Sequence, residues 1–306
     1  MNSNKEQIGI DLGGTKIEVI VLTQHNEILY RERLPTPQGK YLETLDVIAH
    51  LIENAELACN IQAQSIGIGI PGAISPATGL VKNANSTWLI GKHLNTDLEE
   101  KLGRPVVIAN DADCFALSEA YDGSGAGYHS VFGVILGTGV GGGIIINGSP
   151  LSGPNAITGE WGHNSLPWLE ESDLPGRKCY CGKENCIETF LSGPGFEKAY
   201  QEIYGKWLSS ASIWSAASQG EQSALDHALL YIEQLAKALA SVINILDPDV
   251  IVLGGGMSNQ QMIYSELHTR MSKYAFSDQL NTPVKQAQHG DSSGVRGAAW
   301  LNQLLI

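Results

Sequence analysis

The stretch Asp11-Leu12-Gly13-Gly14-Thr15-Lys16 decides the fold of this 306-residue chain. Apolar and β-branched residues precede it at positions 8–10 and continue after it through positions 17–22. This pattern predicts a strand, a tight glycine turn and a second strand. A P-loop would need a different spacing and a helix directly after the glycines. We therefore interpret the segment as a hairpin whose turn lets a ligand approach the backbone closely.

A second strand–glycine–strand unit begins about 125 residues further along the chain. An apolar run at 131–136 leads into the glycine-rich stretch 137–143, and isoleucines follow at 144–146. The spacing Gly137-x-Gly139-x-x-Gly142 matches the dinucleotide-binding fingerprint, but that fingerprint requires a helix directly afterwards. Because the sequence predicts a strand instead, we interpret the two units as the openings of two related lobes.

The glycine turns are candidates for binding phosphate through backbone amides. Gly13, Gly14 and Gly139 have no Cβ atom that would block an anion. The neighbouring residues Thr15 and Thr138 add hydroxyl donors. Asp11 is placed to orient Mg²⁺ through the water shell that this ion retains. A third glycine turn at 254–256 follows an apolar strand at 250–253. The alternative is that these are only tight turns without a ligand.

Composition and charge exclude several classes of partner. Hydrophobic residues make up 43% of the chain and charged residues 17%, which is typical of a soluble globular protein with room for two lobes. The net charge of −13 disfavours nucleic acid or an acidic membrane as a partner. Residues 1–7 are polar and the most apolar runs are of strand length. We therefore expect no signal peptide, no membrane span and a cytoplasmic location.

Three of the five cysteines crowd into Cys179-x-Cys181-Gly182-x-x-x-Cys186, and His163 precedes them. Three thiolates and one imidazole form a tetrahedral zinc set, although one cysteine gap is tighter than usual. Zinc with all four positions filled by protein would hold a loop in place without activating water. Buried free thiols or a redox pair are the alternatives. The apolar spacing at 41–59 predicts a helix, and a second helix is predicted at 112–121. The other two cysteines, Cys59 and Cys114, lie in these helices and are expected in the core.

Acidic residues stand at positions that suit chemistry on a small polar ligand. Asn110-Asp111 falls where an apolar strand ends and a helix begins, and open α/β sheets bind ligands at such carboxyl ends. Asp111 could accept a proton there from an attacking hydroxyl, or it could only cap the helix. Glu160 and Glu188 flank the cysteine cluster, so a metal-pinned loop would bring both carboxylates together. As isolated surface acids they would carry no function.

Taken together and in order, these motifs resemble the ROK family of repressors, open reading frames and kinases. The resemblance runs from about residue 8 to residue 300. It rests on Asp11-x-Gly-Gly-Thr-Lys16, Gly69-Ile-Pro-Gly72, Asn110-Asp-Ala, Gly137-Thr-Gly-x-Gly-Gly142, Gly159-Glu-x-Gly-His163, the cysteine cluster and Gly254-Gly-Gly256. Within the family, the bacterial fructokinases are resembled by four further stretches, at 34–37, 81–88, 243–249 and 289–300. The nearest family members of different specificity are the bacterial N-acetylglucosamine kinases.

The resemblance implies a two-lobed α/β fold of the actin/hexokinase-like (ribonuclease H-like) ATPase type, with ATP and sugar in a cleft between the lobes. It implies phosphoryl transfer from ATP, with Mg²⁺, to D-fructose to give fructose 6-phosphate, with mannose or glucose also possible. The expected first lobe comprises residues 1–118 and about 290–306, including a short last helix that folds back on it. The expected second lobe comprises 119–289 with the zinc loop. A homodimer without nucleic-acid or membrane partners is also expected.

The resemblance further assigns individual residues to ligands. Asp111 would be the catalytic base. The sugar would be contacted by Gly72, Asn85, Asn110, Glu160, His163 and Glu188. The nucleotide would be bound by Gly9, Asp11, Gly13, Gly14, Thr15, Lys16, Gly137, Thr138, Gly139, Gly141, Gly142, Gly255 and Gly256. Structural Zn²⁺ would be held by His163, Cys179, Cys181 and Cys186. The family usually carries Asn where this chain has Asp113, and the role of Asp113 is open.

Two functions from other classes compete with a kinase. A sugar-sensing transcriptional regulator of the same family would carry a helix-turn-helix domain before the Asp11 motif, and the net charge disfavours DNA. A zinc hydrolase with Glu160 as its base would need an open metal position, which a filled Cys₃His set does not leave. Within the kinases, N-acetylglucosamine is the alternative substrate.

Overall fold

The computed structural model describes residues 6–174 and 176–305. The sequence-based expectations for residues 1–5 and 306 therefore lie outside the described residues. The chain divides into two compact units. The first comprises the described residues up to Gly127, then Gly143–Thr158, and those from Gln288 onward. The second comprises Tyr128–Gly142 and Gly159–Ala287.

The first unit is built on a five-stranded mixed sheet. Its elements are β1 (Gln7–Leu12), β2 (Lys16–Leu22), β3 (Ile28–Pro35), α1 (Tyr41–Cys59), β4 (Ile66–Ile70), β5 (Ala73–Ile74), β6 (Val81–Lys82), α2 (Leu94–Leu102), β7 (Val106–Asn110) and α3 (Asp111–Asp122). The strand order is β3-β2-β1-β4-β7. Pairing is antiparallel from β3 to β1 and parallel from β1 to β7, so β1, β4 and β7 end at the same edge.

The second hairpin opens another five-stranded sheet with the same arrangement. It comprises β8 (Ser130–Leu136), β9 (Val140–Ile146), β10 (Ser149–Pro150), and later β11 (Val250–Gly254) and β12 (Val284–Gln286). The order β10-β9-β8-β11-β12 repeats that of the first sheet position by position, and β8, β11 and β12 run parallel. The predicted repeat is confirmed. The residues after Gly139 form a strand, so the dinucleotide fingerprint was correctly rejected.

Helices α4 (Glu188–Leu191), α5 (Gly193–Tyr204), α6 (Ser210–Ser218), α7 (Gln222–Leu246) and α8 (Gln261–Met271) complete the second unit. The last helix, α9 (Ser293–Trp300), belongs to the first unit. The predicted helix at 41–59 is also confirmed. Its apolar face packs into the core of the first unit through Leu45, Ile48, Leu51, Ile52 and Ala55.

The backbone of α9 lies directly on the first sheet and on α3 because glycines remove the intervening side chains. A Cβ atom at Gly67 would lie 1.8 Å from the Ala298 carbonyl oxygen, and one at Gly9 would lie 2.4 Å from the Ala299 nitrogen. On the helix itself, a Cβ at Gly297 would lie 1.7 Å from the carbonyl oxygen of Cys114. Cys114 is buried there, as predicted for a core residue.

The two ends of the first unit meet at a buried carboxylate. Helix α3 continues to Asp122, past the expected lobe boundary at residue 118. Glu119 on this helix accepts hydrogen bonds from the backbone N–H groups of Ser124 and Gln288, both at 3.0 Å. It also accepts one from the Ser293 hydroxyl at 2.9 Å, at the start of α9. Glu119 thus ties the segment that leaves α3 to the segment that enters α9.

Helix α7 combines length with an apolar composition. It has 25 residues and a mean hydropathy of 1.4 over its most apolar part, which by length and composition could cross a membrane. In the second unit 56% of that part is buried, as in the core helix of a soluble protein. The helix also carries buried Lys237, whose ammonium lies 3.1 Å from the carboxylate of buried Asp173. This pair fixes the segment before the cysteine cluster to α7.

Candidate functional site

The first glycine turn closes the β1–β2 hairpin, and two polar side chains donate hydrogen bonds to its carbonyl groups. The Gly13 N–H donates to the Lys16 carbonyl at 3.0 Å. The Thr36 hydroxyl donates to the Gly13 carbonyl at 2.8 Å, and the Gln38 side-chain amide donates to the Gly14 carbonyl at 2.9 Å. Three further predicted residues, Gly14, Thr15 and Lys16, are exposed in this turn.

Asp11 lies at the carboxyl end of β1 in a crowded negative environment. Burial is the main cause that raises the pKa of this carboxyl to about 6, and the nearby carboxylates of Asp111 and Glu18 add to the rise. Glu18 is the cross-strand partner of Asp11 on β2. A Cβ atom at Gly294, in the first turn of α9, would lie 3.7 Å from the Asp11 carboxylate. A bound cation would relieve this concentration of charge, so the environment fits Mg²⁺.

Asn110 and Asp111 lie where β7 passes into α3, at the sheet edge where β1 ends. The Ala112 N–H donates to the side-chain oxygens of Asn110 and Asp111, both at 2.8 Å. The Asn110 side-chain amide donates to the Gly72 carbonyl at 3.0 Å. Asn110 is therefore the N-cap of α3, and Asp111 is the first residue of the helix. The Asp111 carboxylate is also close enough to Asp11 to raise the pKa of Asp11. The structure brings Gly72, Asn110, Asp111 and Asp11 together within the first unit.

Two other predicted residues of the first unit have different surroundings. Asn85 is exposed in the segment between β6 and α2. Gly9, predicted on the nucleotide side, is buried in the middle of β1 against α9. Close packing of α9 is therefore sufficient to explain why position 9 is glycine.

The second glycine turn donates a backbone hydrogen bond to a carboxylate, whereas the first turn lies close to several carboxylates. The Val140 N–H donates to the Glu188 side chain at 3.0 Å. A Cβ atom at Gly139 would lie 2.8 Å from the same carboxylate oxygen. Gly137 is fixed at the other side of the turn, since its carbonyl accepts the Gly193 N–H at 2.8 Å. Thr138 is exposed between them.

The segment that carries Glu160 and His163 packs on β9 through residues that the sequence interpretation missed. A short 3₁₀ helix spans Glu160–His163. Within it, the indole N–H of buried Trp161 donates to the Gly141 carbonyl at 3.0 Å. A Cβ atom at Gly142 would lie 3.0 Å from that indole nitrogen and 2.9 Å from the Phe132 ring. Gly141 and Gly142 thus accommodate Trp161. The sequence feature that could have indicated this packing is the large apolar residue Trp161 inside an otherwise polar motif.

His163, Cys179, Cys181 and Cys186 come together as a candidate metal centre. Their four ligand atoms lie within 4.8 Å of one another. Cys181 Sγ and Cys186 Sγ are 3.6 Å apart, and Cys179 Sγ lies 3.7 Å from His163 Nδ1. A tetrahedral zinc ion with bonds of about 2.3 Å to sulfur and 2.0 Å to nitrogen holds such atoms roughly 3.5–3.8 Å apart. The donor set and its spacing therefore fit zinc.

Backbone pairing brings His163 to cysteines that lie later in the chain. Ser165 forms an isolated bridge with Cys186, and the Ile187 N–H donates to the Asn164 carbonyl at 2.8 Å. A second bridge joins Lys178 to Glu184 around the tight Cys179–Cys181 turn. Two irregular segments, held together by these backbone bonds, thus surround the cluster. Glu188, the first residue of α4, comes directly after them.

The second nitrogen of His163 has a partner that the sequence interpretation did not identify. His163 Nε2 lies 3.0 Å from the Tyr180 hydroxyl, with the two rings edge to face. Nδ1 is therefore on the cluster side of the ring, and Nε2 is on the side of Tyr180. Because Tyr180 is exposed, its hydroxyl can yield to a ligand or bind beside it.

The third glycine turn follows β11 in the second unit. Gly255 has φ = +82°, and a Cβ atom there would lie 2.3 Å from the Leu136 carbonyl oxygen. Apart from Gly256 itself and its two chain neighbours, no atom of the described residues lies within 4 Å of the position of its missing Cβ. Of these two residues, both predicted to bind the nucleotide, Gly255 is therefore required by packing on β8, and Gly256 leaves open space.

A sequence profile of the ROK family matches residues 7–304. An N-acetyl-D-glucosamine kinase from Yersinia pseudotuberculosis is 42% identical over 298 residues, covering 96% of this chain and 98% of that protein.

Two solved structures resemble the fold over nearly the whole chain. A ROK hexokinase from Thermus thermophilus has a TM-score of 0.87 and 29% identity, covering 98% of both chains. A ROK glucokinase from Streptomyces griseus, in complex with glucose and AMPPNP, has a TM-score of 0.76 and 27% identity, covering 97% of this chain and 98% of that one. The chain therefore belongs to the ROK family and has the hexokinase-like α/β fold of the sugar kinases in that family.

Proposed function

We propose that this ROK-family sugar kinase transfers the γ-phosphoryl group of ATP to a hexose, with fructose as the preferred acceptor and fructose 6-phosphate as the product. The observation that carries the proposal is the convergence of Asp11 and Asp111 at the carboxyl ends of β1 and β7. Open α/β sheets bind ligands at this edge. Burial and the nearby Asp111 carboxylate raise the pKa of Asp11, and two carboxylates so close together suit one cation and one acid–base group.

In the proposed reaction, Asp111 accepts the proton of the sugar hydroxyl as its oxygen attacks the γ-phosphorus. The hydrogen bond from the Ala112 N–H keeps the carboxylate fixed at the start of α3. Phosphoryl transfer needs mainly positioning and charge stabilisation from the protein, so one well-oriented carboxylate suffices. Asp11 would hold Mg²⁺ through its waters, and that ion would neutralise charge on the phosphates when bound. The exposed backbone of the first turn is proposed to face the phosphates.

The sugar is proposed to bind Asn110, Glu160, His163 and Glu188. Asn110 and the carboxylates can hydrogen-bond paired hydroxyls, and His163 can use Nε2 once Nδ1 binds zinc. The zinc is proposed to be structural, because four protein ligands fill a tetrahedral shell. A water-activating hydrolase would need an open position in that shell.

The acceptor sugar is the finer part of the proposal. Fructose is proposed because the segments at 34–37 and 81–88 resemble the bacterial fructokinases. N-acetylglucosamine is the second candidate, and the similarity to the Yersinia N-acetyl-D-glucosamine kinase favours it. Close stereoisomers are separated by single hydrogen bonds to sugar hydroxyls, so only a direct comparison of substrates decides between them.

A coupled ADP-release assay with Mg-ATP tests the proposal on fructose, mannose, glucose, N-acetylglucosamine and N-acetylmannosamine. We expect the highest kcat/KM with fructose. Asp111→Asn should lower kcat by roughly 10²–10⁴-fold, because the proton acceptor is lost while the helix cap is kept. The matched control is Asp46→Asn, since Asp46 is an exposed acid of the same unit that pairs with Lys101.

Each other outcome points to a different function. Highest turnover on N-acetylglucosamine would keep the mechanism and replace the proposed substrate. No turnover on any sugar by folded, zinc-loaded protein would contradict the kinase proposal and favour a sugar sensor. Full activity of Asp111→Asn would remove Asp111 as the base.

A further inference from the structure

Tyr180 lies in the turn between two cysteines of the candidate metal centre. Cys179 precedes it and Cys181 follows it, and the Gly182 N–H closes the turn by donating to the Cys179 carbonyl at 3.1 Å. Tyr180 itself is 78% exposed. The backbone of this residue is therefore held by its neighbours, while most of its side chain is open to a ligand.

The polar end of this side chain lies beside residues that are proposed to bind the sugar. The Tyr180 hydroxyl is 3.0 Å from His163 Nε2, and the two rings meet edge to face with their centroids 5.2 Å apart. Partial burial raises the pKa of Tyr180 to about 12, and the nearby carboxylates of Glu188 and Glu160 add to the rise. His163, Glu160 and Glu188, all of the second unit, thus have one exposed tyrosine in common as a neighbour.

Without Tyr180, the proposed sugar contacts of the second unit offer more acceptors than donors. A sugar hydroxyl has one proton to donate and an oxygen that can accept two hydrogen bonds. The carboxylates of Glu160 and Glu188 can take the proton, but ionised carboxylates are acceptors only. His163 supplies one donor, because an imidazole whose Nδ1 binds zinc carries its proton on Nε2. The phenol of Tyr180 is the second donor.

We propose that Tyr180 contacts the acceptor sugar, with its phenol donating a hydrogen bond to the same sugar oxygen that accepts the Nε2 proton of His163. The inference rests on the proposed function, because it takes His163, Glu160 and Glu188 as sugar contacts. As the sugar enters, its oxygen replaces the bond between Tyr180 and His163 with two bonds of its own. The proton of the sugar hydroxyl is donated to one of the two carboxylates.

The chemistry of this position selects a hydroxyl group of the sugar. Both lone pairs of its oxygen and its proton are used, so the whole hydrogen-bonding capacity of the hydroxyl is satisfied. The nitrogen of an acetamido substituent has a proton but accepts no hydrogen bond, so it cannot bind the two donors. A sugar without a hydroxyl at this position leaves both donors without an acceptor and should bind more weakly.

Calorimetric titration of the full-length, zinc-loaded protein with fructose and with N-acetylglucosamine tests the inference without needing turnover. Tyr180→Phe removes the hydroxyl and keeps the ring. For whichever sugar the wild type binds more tightly, this variant should weaken binding roughly three- to tenfold, the equivalent of one lost hydrogen bond. Its zinc content, measured by elemental analysis, and its affinity for Mg-AMPPNP should stay at wild-type values.

Singly deoxygenated derivatives of the same sugar sharpen the test. Removing the hydroxyl that Tyr180 contacts should abolish the difference in affinity between the wild type and Tyr180→Phe, because the two changes delete the same hydrogen bond. The other deoxy derivatives should keep that difference.

Tyr204→Phe is the matched control, since Tyr204 is another exposed tyrosine of the second unit whose ring lies edge to face on a histidine, His227. It should bind sugar as the wild type does. Unchanged or tighter sugar binding by Tyr180→Phe, a loss shared with Tyr204→Phe or accompanied by loss of zinc, or a difference that persists with every deoxy derivative would overturn the inference. No binding of either sugar by the wild type would overturn the inference and the proposed function together. A wild type that phosphorylates no sugar, yet shows the Tyr180-dependent binding, would refute the proposed function alone.

Discussion

The two glycine turns occupy equivalent places in two sheets of the same strand order, but they differ in what surrounds them. Counting back from the first glycine, Asp11 stands two residues before Gly13, and Ile135 stands two residues before Gly137. The first turn is held by hydrogen bonds to its carbonyl groups from Thr36 and Gln38. The second has a backbone N–H bonded to the carboxylate of Glu188, on α4.

This difference shows how one repeated fold supports two tasks. The first turn carries the acidic residue suited to a cation, and its carbonyls are occupied from behind, which leaves its outer surface for an anion. The second turn has Ile135 at the position equivalent to Asp11. Its geometry depends on Glu188, which follows the cysteine cluster in the chain. We infer that the first turn is an independent part of the fold, whereas the geometry of the second depends on the metal loop.

Removal of the metal should produce the largest difference between the two turns. Cys186→Ser deletes one of four ligands and should abolish zinc binding. Because Glu188 lies two residues beyond Cys186, the Val140–Glu188 bond should loosen. We expect Tm to fall by roughly 5–10 °C. By hydrogen exchange, amides at 137–142 should lose protection while those at 13–16 keep it.

Cys59→Ser is the control for this experiment, because Cys59 is a half-buried thiol in α1 outside the cluster. It should retain zinc, as measured by elemental analysis, and wild-type exchange at both turns. Equal loss of protection at the two turns in Cys186→Ser would show that the first turn also depends on the metal. Unchanged exchange at 137–142 would disconnect Glu188 from the metal loop.

The second-largest difference between the two turns should come from adding a single methyl group to one of them. Gly139→Ala places its Cβ 2.8 Å from the mobile end of Glu188, so the carboxylate must move and give up the Val140 N–H. Because the obstacle is a flexible side chain, the free energy of unfolding should change little. The KM for sugar should rise about tenfold, the equivalent of one lost hydrogen bond. Steady-state kinetics at saturating ATP measure it.

Gly153→Ala is the matched glycine control, since its Cβ would make only an ordinary 3.7 Å contact with Thr158. It should leave both KM values unchanged. Gly14→Ala, at the equivalent turn, should instead raise the KM for ATP, because that turn is proposed to face the phosphates. If Gly14→Ala and Gly139→Ala changed the same KM, the two turns would not be divided between the substrates.

Local patterns in the sequence predicted the elements well because those patterns have local causes. The apolar spacing at 41–59 requires a helix with one buried face, and α1 has the predicted bounds. The strand after each glycine turn follows from β-branched residues directly after it. The cysteine cluster was predictable because a shared metal requires its ligands to meet, whatever the path of the chain between them.

Contacts between residues far apart in sequence could not be predicted in this way. Gln38 is separated from Gly14 by 24 positions, and nothing in either residue indicates the other. Glycines were ambiguous for a related reason. Sequence shows that Gly9 and Gly142 lack side chains, but only the packed structure shows that α9 and Trp161 occupy the space. A glycine that makes room for a packed helix cannot be distinguished, in a single sequence, from one that makes room for a phosphate.

Asp11 is the residue that distinguishes the first turn. Of the substitutions considered, Asp11→Asn should change the protein least, and the change should be in its free energy of unfolding. Its folded-state pKa of about 6 lies above the ordinary value of 3.8, so the charged form destabilises the folded state above pH 6. Below about pH 4 both folded and unfolded states are protonated, and no penalty remains. Asp11→Asn should therefore raise the free energy of unfolding by about 1–2 kcal/mol at pH 8, with the gain vanishing as the pH falls from 6 to 4.

Thermal unfolding of the wild type, Asp11→Asn and the exposed Asp46→Asn, each at pH 4.5 and pH 8, measures this gain. Asp46→Asn should show no pH-dependent gain. Added Mg²⁺ should stabilise the wild type at pH 8 and narrow its difference from Asp11→Asn, because the cation offsets the same charge. An equal gain at both pH values would assign the effect of Asp11→Asn to packing, and the acid of the first turn would then differ from Ile135 of the second only in shape.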